Sequence, residues 1–149
     1  MKLALIALVL SSSTFAADCF VRNQESVTRE VSVAREICVE SINLKLDYFA
    51  TSIAQVNITT DGVSAQRIVK LQNGSTLPTG EKAFKLVLES REVGGGCDNT
   101  WSAQTKGTLL VANDGSAARV SDVSAEINFS YDNCHSGFST KEKFTYAQR

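Results

Sequence analysis

The fold is decided by residues 119–131, which read RVSDVSAEINFSY. Apolar and polar side chains alternate through this stretch, and successive side chains of a strand point to opposite faces of a sheet. One face would carry Val123, Ala125, Ile127, Phe129 and Tyr131, and the other Asp122, Ser124, Glu126, Asn128 and Ser130. The pattern predicts an antiparallel strand that is buried on one face only.

The same period of two dominates the chain after Cys38. It predicts three further buried sets: Phe84, Leu86 and Leu88; Ala54, Val56 and Ile58; and Phe138, Phe144 and Tyr146. We therefore expect an all-β domain of seven or eight antiparallel strands in a meander-like order. Such strands close either into a two-sheet sandwich or into a small barrel.

Turn signals separate these strands. The dipeptides Asp61-Gly62, Asn73-Gly74 and Asp114-Gly115 each lie between strand-like segments. Asn-Gly and Asp-Gly supply the positive φ angles that two-residue hairpin turns need. The only proline, Pro78, lies in the 73–80 connection and not inside a predicted strand.

Residues 24–38 fit two structures. Val27, Val31, Ala34 and Cys38 have the spacing of one helix face, and Asn23 would cap that helix. The stretch is also rich in β-branched residues, which favour strands. We favour a strand over 30–48, whose second half shows the clearer alternation, through Ile42, Leu44, Leu46 and Tyr48.

Residues 1–17 have the pattern of a secretory signal peptide. Lys2 precedes an apolar run from Leu3 to Leu10, and small residues follow up to Ala17. The run is shorter than the roughly 20 residues that span a bilayer. We expect cleavage after Ala17, a single β domain over 18–149, a periplasmic or secreted location, and no membrane insertion.

The four cysteines are expected to form two disulfides, because exported proteins meet an oxidising compartment. Three pairings are open to four cysteines. Local context favours Cys19–Cys38, which would fix the N-terminus, and Cys97–Cys134, which would join two polar loops at one end of the sheet.

A Cys97–Cys134 bridge would gather polar residues around it. Asp98, Asp132 and His135, the only histidine, are candidates for a metal site, with Asn99 and Asn133 beside them. Asp and Asn are common in turns without any ligand, because they bond their own backbone, and we favour that interpretation. We expect no cofactor. No residue is assigned as catalytic, since a Gly-x-Ser-x-Gly turn and an assignable partner for His135 are both missing from the sequence.

Trp101 is the residue most suited to bind a partner, because tryptophan is enriched among interface hot spots. It is equally suited to fill the core beneath the disulfide, which is the more common role. A partner-binding surface here would comprise Gly95, Asp98, Asn99, Trp101 and His135.

Charge argues against one class of partner, and three functions remain open. The formal net charge of −1, with charges of mixed sign along the chain, does not favour nucleic acid. We favour an exported, non-enzymatic module that binds a protein partner, either as an inhibitor of an envelope hydrolase or as a subunit of an envelope assembly. The alternatives are a small-ligand carrier with a cavity inside a barrel, and a hydrolase that uses Asp98 or Asp132 with His135.

Overall fold

The computed structural model describes residues 17–25, 31–132, 134 and 137–149, and for Asp132 and Phe138 it describes the backbone only. The predicted signal peptide lies outside these residues except for Ala17. The described chain contains nine strands and no helix. They are β1 (Asp18–Arg22), β2 (Glu36–Leu46), β3 (Ser52–Thr60), β4 (Val63–Lys70), β5 (Ser75–Thr76), β6 (Lys82–Val93), β7 (Thr100–Val111), β8 (Ala118–Asp132) and β9 (Gly137–Gln148).

All nine strands belong to one antiparallel sheet in the order β4-β3-β2-β1-β9-β8-β7-β6-β5. The expected all-β, antiparallel fold is confirmed, as one curled half-barrel sheet and not as two packed sheets. Two meanders, β1–β4 and β5–β9, meet where the short β1 pairs with β9, with Val21 opposite Ala147. The strands near the two chain ends therefore lie together in the middle of the sheet.

The connection between β4 and β5 forces the sheet to curl. These strands are the two edges of the sheet, and only residues 71–74 separate them in the chain. Five residue steps reach at most about 18 Å, whereas the edges of a flat nine-stranded sheet would lie about 38 Å apart. The curl brings β4 towards β6, and the Nε of Arg67 donates a hydrogen bond of 2.8 Å to the carbonyl oxygen of Leu88.

Bulges change which residues face inward along three strands. In β2 the register shifts between Val39 and Ser41, so Ile37 and Val39 face inward before the bulge, and Ile42 and Leu44 after it. In β8 the irregularity lies at Asp122, whose φ of 52° is positive. A third shift lies between Val87 and Glu89 in β6. An extra residue in one strand of a pair has this effect because side-chain direction alternates.

The concave face of the sheet is filled by side chains. The larger core cluster is built on Phe20, Ile37, Val39, Ala54, Val56, Ile58, Phe84, Leu86, Leu88, Leu109, Val111, Val120 and Val123, with Ala34. A second cluster contains Val31, Val33, Ala103, Ala125, Ile127 and Phe144. The predicted inward sets on β3 and β6 therefore face the core, as do Val123, Ala125 and Ile127 of the β8 set. The end of the β8 set is wrong, because Phe129 is half-buried and Tyr131 is exposed.

The strand predicted over 30–48 is wrong at both ends. Residues 26–30 lie outside the described part of the chain, and 31–35 form no strand although Val31, Val33 and Ala34 are buried. Strand β2 begins at Glu36, where the Asp61 carboxylate accepts hydrogen bonds from the backbone amides of Arg35 and Glu36. The alternation that included Tyr48 ends at Leu46, because Tyr48 belongs to a turn.

Two of the three predicted two-residue turns are also corrected. Asp61-Gly62 forms the expected β3–β4 hairpin, with positive φ at both residues. Asn73-Gly74 lies instead in the connection between the two sheet edges, and only Asn73 has positive φ. Asp114-Gly115 lies in a longer loop closed by a 2.9 Å hydrogen bond from the Ala112 amide to the Ala117 carbonyl oxygen.

Both disulfides have the pairing that the sequence favours. Cys19 and Cys38 are directly opposite on β1 and β2, with their Cα atoms 4.0 Å apart. Cys97 and Cys134 join the β6–β7 and β8–β9 connections. Two disulfides are typical of an oxidising, extracellular compartment. The part of the chain that the structure describes contains no helix with the length and hydrophobicity needed to cross a membrane.

The Cys19–Cys38 bridge should stabilise the junction between the two meanders. Strand β1 has only five residues, so few other contacts hold it in the sheet. The bridge closes a loop with a sequence separation of 19, and in the chain-entropy model the double variant Cys19→Ser/Cys38→Ser loses about 3 kcal/mol of unfolding free energy. Urea denaturation measures the loss. The matched variant Cys97→Ser/Cys134→Ser opens a longer loop and should lose at least as much unfolding free energy. A loss well under 1 kcal/mol for the Cys19–Cys38 pair would contradict its role at the junction.

Tyr146 should make stability fall at high pH. Its hydroxyl donates a 2.5 Å hydrogen bond to the Ala34 carbonyl oxygen. Burial raises the pKa of Tyr146 to about 12, above its ordinary value of 10.0, even though nearby Arg22 acts in the opposite direction. Between these two values the unfolded state binds fewer protons than the folded state, so stability decreases as pH rises through this window.

Thermal unfolding between pH 9.5 and 12 tests this linkage. Tyr146→Phe should remove part of the high-pH decline, while Tyr48→Phe should keep all of it, since Tyr48 is 96% exposed. Equal declines in the two variants would show that Tyr146 does not carry the effect.

Candidate binding surfaces

The predicted partner-binding residues lie at one end of the half-barrel, in the β6–β7 turn and beside it. In that turn the Asp98 amide donates a 3.3 Å hydrogen bond to the Gly95 carbonyl oxygen. Gly94 is required, because its φ is 91° and a Cβ there would overlap the Asn99 carbonyl oxygen. The Cα atoms of Cys97 and Cys134 are 5.1 Å apart, so the disulfide does join the two loops.

The metal hypothesis at this end stays a prediction. Asp98 is exposed, whereas His135 lies outside the described residues, as does the side chain of Asp132. Among the described residues, one group of potential ligands comes together elsewhere, at Cys19, Glu36 and Cys38. Both of its sulfurs are bonded in a disulfide, and a metal needs the thiolate.

Trp101 combines the two roles that the sequence left open. Its ring lies 4.3 Å from that of Phe129, centroid to centroid, on the neighbouring strand, and it packs against the second core cluster. It remains half-exposed and lines an open cleft of about 450 Å³ together with Ile127, Phe129, Thr140, Lys141 and Glu142. The tryptophan thus packs against the core on one side and forms a wall of a surface cleft on the other.

The most exposed aromatic residues lie at the opposite end of the half-barrel. Residues 47–51 form the tip of the β2–β3 hairpin, called here the hairpin tip, and the ladders of the sheet place it away from the Cys97–Cys134 bridge. Tyr48 is 96% and Phe49 82% exposed, and their rings make an edge-on contact with centroids 5.4 Å apart. Two adjacent aromatic side chains are therefore presented to solvent.

The hairpin tip is held by one carboxylate. Oδ1 of Asp47 accepts hydrogen bonds from the amides of Phe49 (2.9 Å) and Thr51 (2.7 Å). The Asp47 amide donates to the Thr51 carbonyl oxygen at 2.8 Å, and the Ala50 amide donates to the Asp47 carbonyl oxygen at 3.0 Å. An Asp side chain that bonds the following backbone fixes a turn in this way, so the aromatic pair has a defined direction.

Among the described carboxylates, Asp114 and Glu126 have a pKa that is clearly lowered, and both lie outside the hairpin tip. The Ser116 hydroxyl and amide lower the pKa of Asp114, and the Asn128 amide, with Lys141, lowers that of Glu126. Both shifts come from local hydrogen bonds at exposed or half-exposed positions. They stabilise a loop and a strand surface.

Sequence reasoning misses the hairpin tip because Tyr48 continues the alternation of Leu44 and Leu46. The available signal is Asp47, since an Asp that interrupts two strand-like segments favours a turn. The partner-binding role predicted for the Trp101 end rests on residue type alone.

No protein-family model, curated protein or solved structure matches this chain. The function is therefore inferred from the geometry of the described residues.

Asp47→Ala should loosen the hairpin tip without unfolding the sheet. Two backbone amides lose their acceptor, which costs about 1 kcal/mol per bond. Faster hydrogen exchange at Phe49 and Thr51, with unchanged exchange in β7 and β8, is the expected result. Asp114→Ala, which releases a comparable turn at Ser116, is the control and should leave exchange at the hairpin tip unchanged. Wild-type exchange rates at Phe49 in the Asp47 variant would refute the role of the carboxylate.

Proposed function

We propose that this chain is an exported, non-enzymatic binding module that docks on a protein partner through the hairpin tip. The observation that carries the proposal is the adjacent pair Tyr48 and Phe49, almost fully exposed on a turn that Asp47 holds rigid. Single exposed apolar residues are normal on protein surfaces. Two neighbouring aromatic rings on a projecting rigid turn are not explained by the packing of the fold.

The energetics favour this pair as an anchor. Aromatic side chains dominate interface hot spots because they bury a large apolar area with few rotatable bonds. A loop that is already ordered also loses less conformational entropy on binding. The four hydrogen bonds around Asp47 supply that order before any partner arrives.

A protein is a better match than a lipid surface. The hairpin tip is one short turn, whereas interfacial membrane segments are amphipathic helices with an extended apolar face or lipidated chains. The hairpin tip projects from the sheet and therefore fits a concave surface on a partner. The substrate clefts of hydrolases are concave. An envelope hydrolase is therefore the partner class that this geometry suits best, with a socket in an envelope assembly as the alternative.

The predicted surface around Trp101 remains a second place where a partner could bind. Trp101 is partly committed to Phe129 and to the second core cluster, whereas Tyr48 and Phe49 contact each other. The two surfaces lie at opposite ends, so one experiment can test them separately.

Site-specific photo-crosslinking identifies the partner and the contact together. A photoreactive phenylalanine analogue at Phe49 should give one major adduct when the protein is expressed in the envelope of its own organism. The matched control carries the analogue at Val63, which is also exposed but begins β4 near the other end. Adducts of the same protein from both positions would indicate crowding and would contradict a contact at the hairpin tip.

Binding to the purified partner then gives the magnitude. Tyr48→Ser/Phe49→Ser should weaken binding at least 30-fold, which corresponds to about 2 kcal/mol for an interface hot spot. The unfolding free energy should stay within about 0.5 kcal/mol of wild type because neither ring is buried. Trp101→Ala should change affinity less than threefold if the hairpin tip is the anchor. Binding of the wild type to lipid vesicles, with loss in the double variant and no protein adduct, would overturn the proposal.

A further inference from the structure

An open cleft lies where the two edges of the sheet approach each other, close to the hairpin tip. It occupies about 490 Å³ between the end of β4 and the start of β6, and we call it the edge cleft. The 71–74 connection passes along one end of this gap, and the Arg67 side chain crosses the gap further along, to Leu88. The cleft is thus a product of the incomplete closure of the sheet.

Every polar side chain that lines the edge cleft carries at least one hydrogen-bond donor, and two of them are positively charged. These side chains are Lys70, Gln72, Asn73, Ser75, Lys85 and Thr108. They include two ammonium groups, two amides and two hydroxyls. The lining contains no carboxylate, so its formal charge is positive although the whole chain carries −1.

These donors are not used elsewhere in the described part of the chain. Neither Lys70 nor Lys85 forms an ion pair with a described carboxylate, unlike Lys141, which pairs with Glu126 at 3.4 Å. The side chains of Gln72, Asn73, Ser75 and Thr108 make no hydrogen bond to another described residue. Two exposed lysines that line one cleft without a counter-charge favour an anion there.

The backbone holds this lining in place. Asn73 has a φ of 56°, and Gly74 follows it against Phe84, where an added Cβ would lie 2.6 Å from the ring. The Leu71 amide donates a 2.9 Å hydrogen bond to the Ser52 carbonyl oxygen, which fixes the connection to β3. Apolar contacts come from Val69, Ala83 and Phe84. The lining is thus mostly polar with a smaller apolar part, and its volume lies in the range of small-molecule sites.

We infer that the edge cleft binds the oxyanion group of a small organic ligand, a carboxylate or a phosphate, between Lys70 and Lys85. The amides of Gln72 and Asn73 and the hydroxyls of Ser75 and Thr108 donate to the remaining oxygen lone pairs. The apolar surface at Val69 and Ala83, which are both half-buried, contacts the body of the ligand. This site is separate from the protein-binding role of the hairpin tip and does not depend on it.

A titration followed by two-dimensional NMR of amide groups tests the site with phosphate and with glutarate, at constant ionic strength set by sodium chloride. Both probes should give saturable shifts at Gln72, Asn73, Ser75 and Thr108, and chloride should not. Phosphate tests the binding of an oxyanion group alone, and glutarate adds a short apolar chain. Tighter binding of butyrate than of acetate, which carries the same single carboxylate, would assign the contribution of the apolar surface.

Charge-matched variants decide between a built site and general attraction. Lys70→Gln/Lys85→Gln should weaken binding at least tenfold. Lys143→Gln on β9 removes a charge remote from the cleft and should change it less than twofold. Thr108→Val keeps the side-chain shape and should weaken binding about threefold by removing one donor. Equal weakening by the Lys143 and double-lysine variants would overturn the inference, as would the absence of saturation with either anion.

Two further titrations distinguish a small-anion site from the hairpin tip and from a docking site for an acidic protein segment. Tyr48→Ser/Phe49→Ser should leave anion binding unchanged, so failure of the hairpin-tip proposal would not remove the edge cleft. Hexaglutamate is the probe for an acidic protein segment. Shifts with hexaglutamate but with neither phosphate nor glutarate would replace the small ligand by an acidic chain and would contradict the inference as stated.

Discussion

The structure depends on one constraint of chain length, the short connection between the two edge strands. Residues 71–74 must join β4 to β5 although these strands stand at opposite ends of the strand order. A flat sheet cannot satisfy this constraint, because its two edges would lie about 38 Å apart, whereas the connection can span at most about 18 Å. Curling lets the concave face close on one core, and the bulges at Glu40 and Asp122 redirect side chains as the strands bend.

The same constraint places the two surfaces of interest. Because β4 must end where β6 begins, the edge cleft forms at that end of the half-barrel, beside the hairpin tip. The disulfide-linked loops and Trp101 are left at the other end. The molecule therefore offers a rigid aromatic projection and a cationic cleft at one end, and a tryptophan-lined cleft at the other. Core packing accounts for none of the exposed aromatic area of Tyr48 and Phe49.

Local patterns predict the strands well where burial alternates without interruption. The inward set of β3, and Val123, Ala125 and Ile127 of β8, could be predicted because only one face of the sheet is buried there. Burial of one face gives an alternation of apolar and polar residues that is visible in the sequence. The pattern fails at residues 31–35, which form no strand although they include the buried β-branched residues Val31 and Val33. The Arg35 backbone amide instead donates a hydrogen bond to the distant Asp61 carboxylate. The pattern fails again at Tyr48, where alternation continues past the true end of the strand. The choice of Trp101 as anchor rests on residue type, which carries no information about exposure.

By itself the sequence determined the all-β class, the antiparallel strands and the Asp61-Gly62 hairpin, because each depends on neighbouring residues. It favoured the Cys19–Cys38 and Cys97–Cys134 pairing from loop context, and the structure selected that pairing among the three possible. Only the tertiary structure decided that the strands form one curled sheet, that β1 joins β9, and that Lys70 lies across a cleft from Lys85. These features depend on which distant strands meet at the edges of the sheet. Pairing between distant strands is set by the closure of the whole chain, which no local period of apolar residues encodes.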